Sequence, residues 1–247
     1  MFDGIKAVLF DLDGTIYFGD KLADNADTVT EAFRTAGKRI FFMTNNSAKS
    51  REDIYEKLVG MGLRLDREEI YTSGYAAAYF AKSRGIKSVY VFGTESLKSE
   101  FEALGVKCSP KSDTVVIGFD TEFDYNKLTD ALQAALESKT IIACNLEKNY
   151  PGKNGKRMPG CGAIVGALGG ATGKHVDYVM GKPSPLLIDM ICSENSLERK
   201  DLLVIGDTYE SDIVMAKNCG CACICIGEEK YADTVTVKAI GDILELL

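Results

Sequence analysis

The chain is poor in histidine and in long apolar runs, and both shortages limit what it can do. It has one histidine, His175, among 247 residues. A single histidine disfavours histidine-based catalytic triads and histidine-rich metal sites, so we expect His175 to be a solvated linker residue. No apolar run reaches the roughly 18 residues of a membrane-spanning helix, and residues 1–4 lead directly into an apolar strand without a signal peptide. We therefore predict a cytoplasmic protein.

Positive charge is also in short supply. Lysine and arginine number 29 against 36 aspartates and glutamates, which gives a net charge of −7. Nucleic acids and acidic membranes are recognised by basic surfaces, so neither is an expected partner. An anionic substrate would need positive charge supplied locally. The 46% hydrophobic content is ordinary for a globular protein with a sizeable core.

The eight cysteines raise the possibility of a metal or disulfide cluster. Cys221, Cys223 and Cys225 alternate with other residues. In a strand they would lie in a line on one face, about 6.6 Å apart, and would not converge on one tetrahedral ion. We therefore interpret them as small thiols buried in a core strand and kept reduced.

Two carboxylates follow the first apolar segment. Residues 5–10 are almost continuously apolar, as in a parallel strand covered on both faces, and Asp11 and Asp13 come next. Ligands of open α/β sheets bind beyond the carboxyl ends of such strands. Asp13-Gly14 by itself is equally typical of an ordinary turn.

Three further segments place polar side chains directly after short apolar strands. In a parallel sheet the carboxyl ends of the strands share one edge, so we expect these side chains to gather near Asp11 and Asp13. They offer a hydroxyl, an amide, an ammonium and two carboxylates, from Thr44, Asn45, Lys182, Asp207 and Asp212.

This combination suits phosphoryl transfer. A phosphomonoester carries about two negative charges near pH 7, so a carboxylate can attack it only if a cation intervenes. Mg²⁺ prefers hard oxygen ligands. We expect it to be held by the carboxylates of Asp11 and Asp207 and the backbone carbonyl of Asp13, with Asp212 holding a metal-bound water.

The remaining polar groups would bind the phosphate and carry the reaction. Lys182, the Thr44 hydroxyl and the Asn45 amide would bind phosphate oxygens. With the charge balanced, Asp11 would be the nucleophile that forms an aspartyl-phosphate. Asp13 would protonate the leaving alcohol and later take a proton from the hydrolytic water.

These segments resemble, in order, the four signatures of the haloacid dehalogenase superfamily, phosphatase branch. The residues that carry the resemblance are Asp11-Leu12-Asp13-Gly14-Thr15, Thr44-Asn45-Asn46, Gly181-Lys182-Pro183 and Gly206-Asp207 with Asp212. The long interval between the second and third signatures, and the segment 158–165, resemble the NagD-like type IIA members, which insert a large α/β cap there. The resemblance implies a Mg²⁺-dependent phosphatase acting on small phosphorylated metabolites such as sugar phosphates or nucleotides, and on p-nitrophenyl phosphate.

The resemblance also sets the expected architecture. We predict an α/β fold with a Rossmann-like parallel-sheet core at residues 1–84 and 177–247, and an inserted α/β cap at 85–176. Helix 161–168 would close the cap, followed by a loop or hinge at 169–173. Cap surfaces in this branch can mediate homodimers.

The chain departs from the family pattern in the cap. Asn145-Leu146-Glu147 stands where members commonly carry Asn-Pro-Asp, and Ser211 replaces a usual threonine. Residues 145–157, with a turn at 149–152, form a polar, glycine-rich loop. This loop is either a solvated basic surface or the element that selects the leaving group.

Two other functions use similar residues. A phosphotransferase or phosphomutase would form the same aspartyl-phosphate and pass it to a sugar instead of water. A phospho-accepting regulatory domain also combines Mg²⁺, aspartates and a lysine on a parallel sheet, but it explains neither an inserted α/β unit nor Asp13.

Overall fold

The computed structural model describes residues 2–152 and 155–247. Its strands are, in chain order, β1 (Ala7–Asp11), β2 (Tyr17–Phe18), β3 (Lys21–Leu22), β4 (Arg39–Thr44), β5 (Ile70–Thr72), β6 (Ser88–Phe92), β7 (Lys107–Cys108), β8 (Thr114–Ile117), β9 (Thr140–Ala143), β10 (Asn149–Pro151), β11 (Arg157–Pro159), β12 (Tyr178–Val179), β13 (Leu202–Gly206), β14 (Ala222–Ile226) and β15 (Val235–Val237). Its helices are α1 (Ala26–Thr35), α2 (Arg51–Gly60), α3 (Ser73–Ser83), α4 (Glu95–Ala103), α5 (Tyr125–Glu137), α6 (Cys161–Thr172), α7 (Leu186–Asn195) and α8 (Val214–Cys219).

The chain forms two compact units. The first contains the residues up to Thr44, then Ile54–Tyr71 and Lys182–Leu247, and the second contains Asn45–Asp53 and Thr72–Gly181. These boundaries differ from the expected ones at 84/85 and 176/177. The helix α3 belongs to the second unit because it packs closely on α4: a Cβ on Gly74 would lie 2.8 Å from Leu97 Cδ1.

A six-stranded sheet forms the first unit, in the order β15-β14-β13-β1-β4-β5. The strand β1 pairs in parallel with β13 on one side and with β4 on the other. All five residues of β1 are buried, as expected for a parallel strand covered on both faces. Phe10 contacts Phe33 and Phe42 in the core, with ring centroids 6.0 and 6.1 Å away. The predicted α/β class with a parallel-sheet core is confirmed.

The second unit has its own parallel sheet, in the order β12-β9-β8-β6-β7. Its core contains buried apolar residues of β8, α5 and α6, among them Val115, Ala131 and Ile164. An antiparallel pair, β10 with β11, lies outside this sheet.

Two local predictions in the second unit are wrong. The helix α6 continues through the glycines expected to form a loop and ends at Thr172. The next residue, Gly173, caps the helix with φ +69°. Each helical glycine costs only about 1 kcal/mol relative to alanine, which the buried contacts of a long helix can offset. The expected turn at 149–152 contains β10, where Tyr150 pairs with Met158 and packs on Phe119. Lys153, expected in the same loop, lies outside the described residues.

The sequence expectation for histidine is confirmed, and the expectation for cysteine is confirmed in part. All eight cysteines are free thiols and Cys225 in β14 is buried, but Cys223 in β14 is half-buried and Cys221 precedes the strand. His175 is exposed. Within the described residues, no helix combines the length and apolar character needed to cross a membrane.

Candidate active site

A buried ammonium and two buried carboxylates form the centre of the site, within the first unit. Lys182 Nζ lies 2.5 Å from Asp11 Oδ1 and 2.6 Å from Asp212 Oδ1. Burial alone would lower the pKa of Lys182, but the two carboxylates reverse this effect and raise it above its ordinary value. Lys182 is therefore an ammonium group throughout the neutral pH range.

Asp207 completes an acidic cluster with these two aspartates. One carboxylate oxygen from each of Asp11, Asp207 and Asp212 lies within 4.8 Å of the others. Burial raises the pKa of Asp11 and of Asp212 to about 6, although Lys182 acts in the opposite direction. Burial and the charge of Asp212 also raise the pKa of Asp207. Three carboxylates against one ammonium leave an excess of negative charge, which a bound cation would balance.

Two glycines allow the carboxylates to approach the strand ends. Gly14 has φ +88°, and a Cβ there would lie 2.7 Å from Asp207 Cγ. At Gly206, the last residue of β13, a Cβ would lie 2.6 Å from the Asp212 Cβ. Since Cβ atoms do not approach other atoms this closely, both positions require glycine for the cluster to form.

A π-helical turn at Tyr209–Ile213 positions Asp212 ahead of α8. The Asp212 backbone N–H donates to the Thr208 carbonyl at 2.8 Å, and Asp212 Oδ2 accepts from the Thr208 N–H at 3.1 Å. Asp212 Oδ1 is buried and lies 2.6 Å from Lys182 Nζ. This oxygen retains the capacity to accept from another donor, such as a metal-bound water.

Asp13 and Thr44 lie on the same edge of the first unit's sheet. Asp13 is exposed, and its Oδ2 accepts a hydrogen bond from the Tyr17 hydroxyl at 2.7 Å. Thr44 is buried at the end of β4. Because Asp11 pairs with Met43, Thr44 extends one residue beyond Asp11 along this edge.

Asn45, the residue after Thr44, belongs to the second unit. Its side-chain amide donates to Glu147 Oε1 at 3.0 Å. Its carbonyl accepts from the Asn145 amide at 2.6 Å and from the Ser73 hydroxyl at 2.8 Å. The phosphate-binding role expected of Asn45 stays a prediction.

The structure therefore brings four predicted residues into direct proximity: Asp11, Lys182, Asp207 and Asp212. Sequence reasoning missed Tyr17, and it named Thr15 in the first signature without assigning it a role. The Thr15 hydroxyl donates to Asp207 Oδ1 at 3.4 Å. A tyrosine four positions after a predicted catalytic carboxylate is a signal that could have identified Tyr17.

The residues present fit a hard divalent cation. All three members of the cluster offer carboxylate oxygens, the donor type that Mg²⁺ prefers. The buried Asp212 Oδ1 and the excess negative charge both fit a hydrated cation at this position. Asp11 and Asp207 are the candidate direct ligands, and Asp212 is the candidate partner of a bound water.

The chain matches known hydrolases along most of its length. Residues 8–107 match the family described as haloacid dehalogenase-like hydrolase, and residues 179–243 match the family described as HAD-hydrolase-like. The sugar-phosphatase AraL of Bacillus subtilis is 31% identical over 251 residues, covering 97% of this chain and 92% of AraL.

Solved structures share the fold. The 4-nitrophenylphosphatase of Thermotoga maritima has a TM-score of 0.92 and 30% identity, covering 99% of this chain and 98% of its own. NagD from E. coli K-12 has a TM-score of 0.86 over 97% of this chain and 98% of its own, and its 21% identity indicates shared fold alone.

Proposed function

Since this chain belongs to the haloacid dehalogenase-like hydrolases and is a phosphatase of that superfamily, we propose that it hydrolyses small phosphomonoesters with Mg²⁺ through an aspartyl-phosphate on Asp11. The observation that carries the proposal is the buried Asp11–Lys182–Asp212 group with Asp207 beside it. The first compact unit is the catalytic core in this proposal, and the second is the cap.

In this proposal the attacking oxygen belongs to the Asp11 carboxylate. Lys182 holds Oδ1, and Oδ2 forms a bond to phosphorus while the ester P–O bond breaks. Asp13 gives its proton to the departing alcohol oxygen. Water then attacks the phosphorus of the aspartyl-phosphate, Asp13 takes a proton from that water, and inorganic phosphate and the Asp11 carboxylate are released.

The other groups neutralise and orient the phosphate. Lys182, the Thr44 hydroxyl and the Asn45 backbone amide donate to its oxygens. The cation would be held by Asp11, Asp207 and the Asp13 carbonyl, with Asp212 on a bound water. When bound, Mg²⁺ supplies the positive charge that lets an anionic nucleophile approach an anionic phosphate.

We propose that the substrate's alcohol portion is selected in the second unit. The candidate selector is the segment at residues 145–157. Leu146 in this segment and Met158 next to it are exposed apolar side chains, and Glu147 is an exposed carboxylate. The similarity to AraL supports sugar phosphates as the first class to test, and the similarity to the Thermotoga maritima enzyme supports p-nitrophenyl phosphate as an assay substrate.

The test is turnover of p-nitrophenyl phosphate by protein freed of metal with EDTA, before and after Mg²⁺ is added. We expect negligible turnover without the ion and saturable turnover with it. The same assay in the presence of a sugar acceptor measures the competing phosphotransferase function. If the acceptor becomes phosphorylated in proportion to substrate consumed, water is not the principal acceptor. If Mg²⁺ produces no turnover, the proposal is wrong.

A further inference from the structure

Among the described residues, Tyr17 makes the one side-chain hydrogen bond that holds the Asp13 carboxylate. Asp13 is exposed, and an exposed aspartate ordinarily exchanges between rotamers. Here the Tyr17 hydroxyl donates a 2.7 Å hydrogen bond to Oδ2. A bond from a phenol to a carboxylate is among the stronger side-chain hydrogen bonds, so the position of Tyr17 determines the position of Oδ2.

Tyr17 itself is held firmly. Its side chain is 1% exposed, and Lys57 Nζ lies 3.7 Å from the centroid of its ring. Its backbone closes the turn that carries Asp13, because the Tyr17 N–H donates to the Leu12 carbonyl at 3.1 Å and the Tyr17 carbonyl accepts from the Gly14 N–H at 2.9 Å. The hydroxyl is therefore fixed relative to the backbone of the residue that it contacts.

This arrangement distinguishes the two oxygens of Asp13. Oδ2 is occupied by the phenol, and Oδ1 is the oxygen that can carry and deliver a proton. We propose that Tyr17 is a positioning residue that holds Asp13 Oδ1 in place for proton transfer to the leaving alcohol. The inference rests on the proposed function and extends it to a residue outside the four signature segments.

A purely structural role for Tyr17 is the competing explanation. Its hydroxyl is buried with its ring, and a buried hydroxyl needs a partner whatever that partner does. The two roles differ in what they do to the reaction. A structural defect slows every substrate alike, whereas misplaced Asp13 slows substrates in proportion to how much their leaving group needs a proton.

The experiment measures phosphoryl transfer to the enzyme in single turnover with a series of substituted phenyl phosphates, from p-nitrophenyl to unsubstituted phenyl, in the presence of Mg²⁺. The variant is Tyr17→Phe, which removes the hydroxyl and keeps the ring. The matched control is Tyr71→Phe in β5. Tyr71 is also buried in the first unit, and its hydroxyl accepts a 2.8 Å hydrogen bond from the Asn195 amide.

For Tyr17→Phe we expect about a 10-fold loss with phenyl phosphate and less than about a 2-fold loss with p-nitrophenyl phosphate, because nitrophenolate leaves with little protonation. In Tyr17→Phe the rate of phosphoryl transfer should depend more steeply on the pKa of the leaving group than in the wild type. Tyr71→Phe should leave this dependence unchanged. In an Asp13→Asn background, Tyr17→Phe should change the dependence no further, since it acts through Asp13.

Equal losses across the series for Tyr17→Phe would overturn the inference, as would an additional steepening in the Asp13→Asn background. Thermal unfolding of both tyrosine variants separates a folding defect from a change in the reaction. A wild-type protein that hydrolyses none of the phenyl phosphates would refute the proposed function, whereas hydrolysis with an unaltered dependence in the variant refutes only the role of Tyr17.

Discussion

Lys182 Nζ lies 2.5 Å from Asp11 Oδ1, although 171 residues separate the two in the chain. Both side chains are buried, so neither charge is balanced by solvent. The pair fixes Asp11 Oδ1 in place. The Lys182 ammonium can also donate to the oxygens of a bound anion, which supports the phosphate-binding role proposed for it.

The first prediction is that Asp11→Asn lowers turnover of p-nitrophenyl phosphate by at least about 10³-fold, because an amide is neither the nucleophile nor a good metal ligand. The fold should persist, since Lys182 keeps its ion pair with Asp212. Steady-state kinetics and circular dichroism measure the two outcomes. Asp189→Asn, which removes another ion-paired aspartate of the first unit, should retain turnover. Near-normal activity in Asp11→Asn would remove this residue from the nucleophilic role.

The second prediction concerns stability and pH in metal-free protein. Folding raises the pKa of Asp212 from an ordinary 3.8 to about 6, chiefly through burial. The folded state then binds more protons, so the contribution of this group to stability is present below about pH 4 and is lost as pH rises through 6. Asp212→Asn should therefore raise the Tm by at least about 2 °C at pH 7.5 and have little effect at pH 4.

Asp201 provides the opposite case for the same measurement. The backbone N–H of Glu198 and the Lys6 ammonium hold the pKa of Asp201 below its ordinary value. The contribution of the Asp201 carboxylate to folding stability is present at neutral pH and is lost as the pH falls through the lowered pKa of this group. Asp201→Asn should lower the Tm at pH 7.5. If Asp212→Asn also lowers the Tm at that pH, burial of the charged Asp212 carboxylate does not carry the penalty described here.

The third prediction ranks the metal ligands. Asp207→Ala should raise the Mg²⁺ concentration needed for half-maximal activity far more than Asp212→Ala, because the first removes a direct carboxylate ligand and the second a partner of a bound water. Mg²⁺ titrations of p-nitrophenyl phosphate turnover measure this difference. Superimposable titration curves for the two variants would show that the ranking is wrong.

The fourth prediction concerns specificity. Replacing residues 145–157 by neutral turn residues should change the order of kcat/KM among sugar and nucleotide phosphates while sparing p-nitrophenyl phosphate, whose leaving group needs few contacts. A panel of these esters measures the order before and after the exchange. As a control, the exposed residues 121–123 of the same unit can be replaced by serines and should leave the order intact. If the order of kcat/KM is unchanged after residues 145–157 are replaced, this segment is not the selector.

Apolar runs ending in polar residues were enough to predict the parallel sheet and much of the acidic site. The pattern at residues 7–11 and 202–207 specifies buried strands, and strands of this type must place Asp11 and Asp207 at one sheet edge. The buried strands and the aspartates at their ends depend on local sequence and on the geometry common to parallel sheets. The proximity of Lys182 to these aspartates does not follow from this rule, because the strand that precedes Lys182, β12, pairs with β9 in the sheet of the second unit.

The positions of Tyr17, α6 and the β10–β11 pair depended on contacts that local sequence does not encode. The glycines of α6 favour a loop by propensity, yet its buried residues pack on α5 and the sheet of the second unit. The strand at 149–151 exists through pairing with 157–159.

The sequence by itself determined the strand ends and the residue types at them, because burial and the parallel connection leave few alternatives. Only the tertiary structure decided that Lys182 lies between Asp11 and Asp212 and that Tyr17 holds one oxygen of Asp13. Hydrogen-bond and ion-pair partners depend on side-chain positions to within about 0.5 Å, and those positions are set by packing across the whole unit.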